Sequence, residues 1–192
     1  MKQNFLYNSS PWAIATALLL MVALCVIPVS AADWPVNLCR LNDDNTWTNT
    51  TIDNSTFIGL TQTDPATFTD PKKREWSGTT LERLIGYFDD DTTSTFNEFI
   101  AEGNYTIKVV GKNKNVARTS TFYSSELLDA ENSSAFVVAD KLDDEYLSPD
   151  GYPDPKITWR YYYPLKLHGY GCSSTDRSVE EITDFIIDLY NV

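Results

Sequence analysis

Histidine, cysteine and glycine are scarce in this chain of 192 residues, which has one His, three Cys and eight Gly. With His168 as the single histidine, a metal site built on several imidazoles is excluded, and any Ser-His-Asp arrangement rests on that one ring. His168 lies in Leu167-His-Gly-Tyr-Gly-Cys172 at a strand end, where a solvent-facing or hydrogen-bonded ring is the default expectation. Of the cysteines, Cys25 falls inside an apolar leader, and the bulky Leu24 before it argues against lipoprotein processing. Everything after the leader therefore holds only Cys39 and Cys172. Thiols of an exported chain either pair to staple the fold or stand free as metal ligand or nucleophile. Their placement near the two ends favours a Cys39–Cys172 disulfide, which would leave no thiol for a Cys/His pair with His168.

Positive charge is the next shortage. The formal net charge is −12 at pH 7, from 15 Lys and Arg against 27 Asp and Glu. Such a surface repels nucleic acid and anionic lipid. Lys72-Lys73-Arg74 is a single short basic cluster beside Glu75, so no nucleic-acid partner is expected. The acidic runs Asp89-Asp-Asp91 and Asp143-Asp-Glu145 do not follow the Asp-x-Asp-x-Asp-Gly spacing that calcium loops need, and they read as solvated loop charges.

Long hydrophobic runs are also few. Trp12 to Val29 is one, preceded by Lys2 and followed by the small residues Ser30-Ala31-Ala32. Residues 1–32 read as a signal peptide with cleavage near Asp33. The alternative is an uncleaved anchor, because about 18 apolar residues is the lower limit for a bilayer span; membrane attachment is expected through that leader alone. Residues 33–192 suffice for one domain with its own core. The expected location is extracellular or the cell surface. Four sequons follow the leader, at Asn49, Asn54, Asn104 and Asn132, and are candidate glycosylation sites where the host has the machinery.

Periodicity then sets the elements. Val36, Leu38 and Leu41 mark a first strand, and the polar stretch Asn42 to Thr56 a turn with a weak hairpin arm around Trp47. Phe57-Ile-Gly-Leu-Thr61 reads as a short strand and Thr63 to Lys73, with two prolines, as a surface loop. Trp76 to Ile85 predicts a helix, with a tight turn at Gly78 and a cap at Thr79 or Thr80. Phe96 to Ala101 suggests another helical turn. Tyr105 to Val110 and Val116 to Tyr123 form a hairpin, Ser124 to Leu128 a capped helical turn, and Ala135 to Ala139 a buried strand. Asp143 to Lys156 is an acidic, Pro-bearing loop. Trp159 to Leu167 carries aromatics and a strand, and Val179 to Leu189 is the closing strand. The aromatic run Trp159-Arg-Tyr-Tyr-Tyr163 offers a platform for carbohydrate or peptide on whichever half stays exposed. Many short strands with brief helices give an α+β domain.

The order of these pieces resembles the molybdopterin-binding domain of the sulfite oxidase family, in particular its small exported archaeal versions. The resemblance spans about Trp34 to Leu189. It is carried by Trp76-Ser-Gly-Thr-Thr-Leu-Glu-Arg-Leu84, Phe136-Val-Val-Ala-Asp-Lys-Leu142 and Tyr163-Pro-Leu-Lys-Leu167 in that succession. It implies a mixed α+β fold cradling a pterin-bound molybdenum, held in active members by one cysteine thiolate ahead of the Trp-x-Gly-x-x-Leu segment. The matching stretch here, Phe57 to Pro65, has no cysteine, and a hydroxyl or amide does not replace a soft thiolate. The family also places a basic residue just after a Val near the C-terminus to hold the pterin phosphate, whereas Val179 is followed by Glu180 and Glu181. Arg118, Arg160 and Lys166 remain as candidate cofactor-binding anion contacts.

Three functions follow from the resemblance and its departures. The leading expectation is an exported, non-catalytic surface or secreted module without a cofactor, binding a ligand or cell-surface protein through the former cofactor cleft and its rim. The second is an oxidoreductase that keeps molybdopterin through Arg118, Arg160 and Lys166 without a cysteine ligand. The third is a cell-envelope structural protein.

Overall fold

The computed structural model describes residues 33–42, 44–89, 105–128, 134–153, 159–172 and 177–188. The leader, the helical turn expected at Phe96 to Ala101, and the sequons at Asn104 and Asn132 lie outside the described residues. Among the described residues, no helix is long and apolar enough to cross a membrane.

Strand alternation builds the first sheet as expected. β1 (Val36–Leu41) pairs antiparallel with β2 (Trp47–Ile52), the weak arm around Trp47, and parallel with the closing strand β12 (Glu180–Asp188). The hairpin of β5 (Thr106–Asn113) and β6 (Val116–Tyr123) completes the order β2-β1-β12-β5-β6. Lys114 and Asn115, both at positive φ, make the two-residue turn of that hairpin. Alternate residues of β1, β5 and β12 enter the large core: Val36, Leu38, Ile107, Val109, Phe185 and Ile187.

The second sheet departs from expectation in its first half. Phe57 to Thr61 belongs to helix α1 (Asn54–Thr63), not to a strand. Asp53 is its N-cap, accepting a 2.8 Å hydrogen bond from the Thr56 amide, and Phe57 and Leu60 fall on its buried side. Pro65 to Thr69, expected as loop, forms β3 (Pro65–Thr69), while Asp70 to Arg74 supplies the turn into β4 (Glu75–Thr80). The helix expected from Trp76 begins only at Leu81, as α2 (Leu81–Asp89), with Thr80 Oγ1 capping the Arg83 amide at 3.0 Å. Gly78 is not a turn residue. It lies at the register shift in the antiparallel pairing of β4 with β7 (Val137–Leu142), and a Cβ there would fall 2.0 Å from the Val138 carbonyl oxygen. This close approach of two backbones requires glycine.

α3 (Ser124–Leu128) forms as expected. β7 pairs on one edge with β4 and on the other with β11 (Lys166–His168), giving the order β11-β7-β4-β3 with β8 (Glu145–Tyr146) also on β7. β9 (Tyr152–Pro153) and β10 (Trp159–Arg160) form a separate two-stranded ribbon. Both faces of the second sheet are covered, which is why β7 reads as a continuous apolar run. Val138 and Leu167 face the large core. Val137 and Ala139 face a smaller one with Phe68, Trp76, Leu147 and Tyr162.

The start of β12 ties the sheets together. Leu167 and Val179 bridge through hydrogen bonds of 2.8 and 3.3 Å, and the Ile182 amide reaches Leu165 O at 3.2 Å. The register with β5 shifts between Glu180 and Asp184, with Glu181 at φ 47°, so the strand bends from one sheet into the other.

The Cys39–Cys172 staple is not formed in this arrangement, and both thiols are free. Alternation along β1 puts Leu38 into the core and Cys39 on the outer face, in register with Ile186 and Asn49. Cys172, in a single 3₁₀ turn at Tyr170–Cys172, is buried in the large core on the other side of that sheet. Thiols on opposite faces of a sheet cannot meet bridging geometry without moving the backbone. A chain produced from Asp33 onward and unfolded without reductant should therefore titrate with two thiols by a thiol reagent; a count of zero would restore the staple.

Candidate functional site

β11 is short, but its alternation is decisive. Leu167 enters the large core, so Lys166 and His168 enter the smaller one. Lys166 is 4% exposed, far below what an unpaired ammonium tolerates. Its Nζ lies 3.6 Å from Glu180 Oε1, 4.1 Å from the Trp76 ring centroid and 4.4 Å from that of Tyr162. Arg160 donates through Nη2 to the same Oε1 and stands over Tyr162, 5.4 Å from its centroid. One carboxylate, two cations and two aromatic faces thus make a sealed cluster.

A second ion pair adjoins it. Asp70 Oδ2 accepts from Arg74 Nε at 2.8 Å and from Trp76 Nε1 at 3.2 Å, while its Oδ1 accepts the Lys72 amide at 2.8 Å. Arg74 Nη1 donates to the Tyr162 hydroxyl at 3.3 Å. Burial works against the Asp70 carboxylate, but the bonds from Arg74 and Trp76 outweigh it and hold the group below the usual carboxylate range. Burial likewise drives the Lys166 ammonium down to about 7, with Glu180 opposing and the neighbouring guanidiniums assisting.

His168 packs edge-on against Phe68 and Trp76, with centroids 4.8 and 6.0 Å apart. Its Nδ1 is 3.3 Å from Ser178 Oγ, and that hydroxyl gives its own hydrogen to Leu167 O at 2.8 Å. The imidazole must therefore donate to Ser178, so it does not act as a base toward that hydroxyl. Burial, and after it the Lys166 charge, lowers its pKa to about 4. His168 is a half-buried ring hydrogen-bonded to Ser178, the second of the two default expectations for its position.

Of the three candidate anion contacts, the fold brings Arg160 and Lys166 together. Arg118 sits apart on β6, opposite Gly111 of the first sheet. Glu180, read from sequence as a repulsive neighbour for a phosphate, is the counter-ion of both cations, and Glu181 bonds Lys112 at 2.8 Å. Asp70, Arg74, Trp76 and Tyr162 escaped sequence reasoning as a unit, because the fold brings Tyr162 to a turn and strand some ninety residues earlier in the chain. Asp143, at a turn with φ 50°, accepts the Glu75 amide at 2.7 Å and serves the backbone.

The donor set does not fit a thiolate-bound, phosphate-anchored molybdopterin. The stretch matching the metal-ligand position is largely helix α1 and carries no sulfur. The two described thiols lie on the outer face of the first sheet and in the large core, and burial pushes Cys172 up to about 12. Arg160 and Lys166 are already engaged by Glu180 as a shared counter-ion. No protein-family model matches the chain, and no curated protein matches it.

One further group stands out. The β4–β7 register shift lies between Ser77 and Gly78, which pair with Lys141 and Ala139, and it leaves Asp140 as the extra residue. Asp140 is 3% exposed, and neither carboxylate oxygen has a hydrogen-bond partner among the described residues. Burial raises its pKa from 3.8 to about 6, with Lys141 opposing weakly. A raised folded-state pKa means that the acid is tolerated neutral, so stability falls as pH rises from about 4 through 6 and stays reduced above. The shift corresponds to about 3 kcal/mol. Between pH 4 and 7, the stability difference between the Asp140→Asn variant and the parent should move in the variant's favour by about that amount in urea denaturation. A pH-independent difference would place the Asp140 charge in a solvated setting.

Proposed function

We propose that this chain is an exported, non-catalytic binding domain of sulfite-oxidase-like type, degenerate at the metal-ligand position, which engages a ligand or cell-surface protein through an aromatic rim. The supporting observation is the pairing of an interior whose charged groups are engaged with one another and exposed rings at its border. Trp159 is 49% and Tyr170 62% exposed, whereas Trp76 and Tyr162 between them are sealed. The two exposed rings are joined by contacts. Tyr170 packs edge-on against Phe68, Phe68 on His168 and His168 on Trp76, which lies beneath Lys166. Glu180 links Lys166 to Arg160, the neighbour of Trp159.

A rim of rigid aromatics on a fixed charged base suits recognition, because the rings bury area with little loss of side-chain freedom. The same base does not suit catalysis. Its lysine, histidine and carboxylates are each engaged by a neighbour, and the enclosed groups leave no thiolate to present to a metal.

The test joins metal content with binding. Purified protein should contain no stoichiometric molybdenum. Trp159→Ala and Tyr170→Ala should each weaken its adsorption to isolated cell envelope by about tenfold or more, with unchanged melting temperature. One molybdenum per chain, or adsorption indifferent to both substitutions, would contradict the proposal.

A further inference from the structure

β2 forms one edge of the five-stranded sheet and, among the described strands, is hydrogen-bonded only to β1. Trp47 to Thr51 is exposed without interruption, and the run contains no charge, no proline and no register shift. Unblocked edges of this kind add strands from other chains, and exported proteins must guard them. In the middle of the run stands Asn49, followed by Thr50 and Thr51.

Strand geometry puts the Asn49 amide and the Thr51 hydroxyl on the same exposed face, in register with Cys39 and Asn37 of β1. The sequon at Asn54 is built differently. It opens helix α1, where a turn of about 100° per residue carries Asn54 and Thr56 to opposite sides. Asn54 is half-buried there, and the Thr56 amide is held by Asp53 at 2.8 Å. A transferase that reads amide and hydroxyl together finds both on β2 and not on α1.

We propose that Asn49 is an N-glycosylation site and that its glycan guards the β2 edge against pairing with another chain. The proposal rests on the export reading, since the sugar donor is a lipid-phosphate-linked oligosaccharide of the export route. Asn49 Nδ2 attacks the anomeric carbon of that donor. The C–N bond forms as the C–O bond to phosphate breaks, the phosphate leaves with the electron pair, and the amide loses one proton. No oxidant or reductant is involved. Thr51, one pleat along the strand, completes the acceptor, and a bulky polar chain at the centre of β2 then fills the space a docking strand would need.

The complete chain is secreted from an N-glycosylating host, in one arm on its own leader and in another with the host's secretion signal fused ahead of Met1. Peptide-N-glycosidase digestion in ¹⁸O-labelled water, followed by peptide mass spectrometry, reads each sequon. The proposal expects Asn49 occupied, Asn54 bare, occupancy lost in Thr51→Ala and kept in Thr51→Ser. It also expects light scattering to show the secreted Asn49→Gln protein moving from monomer to dimer or larger. Secretion and glycosylation in the fused arm alone would support the site while overturning the export reading. A bare Asn49 on secreted protein, or an Asn49→Gln protein that stays monomeric, would overturn the proposal.

Discussion

Glu180 sits where the two sheets meet, and it holds both the cation that ends one ribbon and the cation buried under the other sheet. Arg160 belongs to the β9–β10 ribbon, Lys166 to the second sheet, and Glu180 to the strand that bends from that sheet into the first. At 3.6 Å and an effective dielectric of 20, the Lys166–Glu180 attraction is about 5 kcal/mol. Removing each ion from water costs several kcal/mol, so the net gain is small. The value of the clamp lies in what it forbids. With Trp76 and Tyr162 closing over Lys166, any displacement of β12 leaves a buried ammonium without its counter-ion. The neighbouring backbones are fitted to the same bend, since a Cβ on Gly111 would lie 2.6 Å from Glu180 O.

This constraint also decides the chemistry. Two cations that look free in the sequence are committed within the fold, and the thiols lie elsewhere, on an outer face and in a core. The interior charges are thus engaged with one another, while the rings of Trp159 and Tyr170 stand exposed.

Much of the architecture was legible in the residues. Alternation announced β1, the β5–β6 hairpin and β12, and the apolar run at Val137 announced a strand covered on both faces. Two of the assignments that failed did so for different reasons, one local and one long-range. Phe57-Ile-Gly-Leu-Thr61 is rich in strand formers, but Asp53 caps a helix there and the Thr61 hydroxyl returns to Phe57 O at 2.9 Å. Gly78 resembles a helix-initiating turn, yet it serves the irregular pairing of β4 with β7, a contact with a strand some sixty residues onward that no local pattern encodes. The clamp was illegible for the same reason. Glu180 looks like a liability beside Glu181 until the bend in β12 separates them, one toward Arg160 and Lys166, the other toward Lys112. Spacing between cysteines suggested a staple, but it carries no information about which face of a sheet each thiol occupies.

The clamp is tested most directly by a double-mutant cycle of Glu180→Gln and Lys166→Met, with stabilities taken from urea denaturation at pH 6, below the value of about 7 at which Lys166 loses its proton. Glu180→Gln alone should cost about 3 to 5 kcal/mol, because it strands the buried Lys166 ammonium and the partly buried Arg160 guanidinium. Adding Lys166→Met should recover part of that loss, with a coupling of about 2 kcal/mol. Losses that simply add, to within about 0.5 kcal/mol, would show that the two side chains do not depend on each other and would contradict the account.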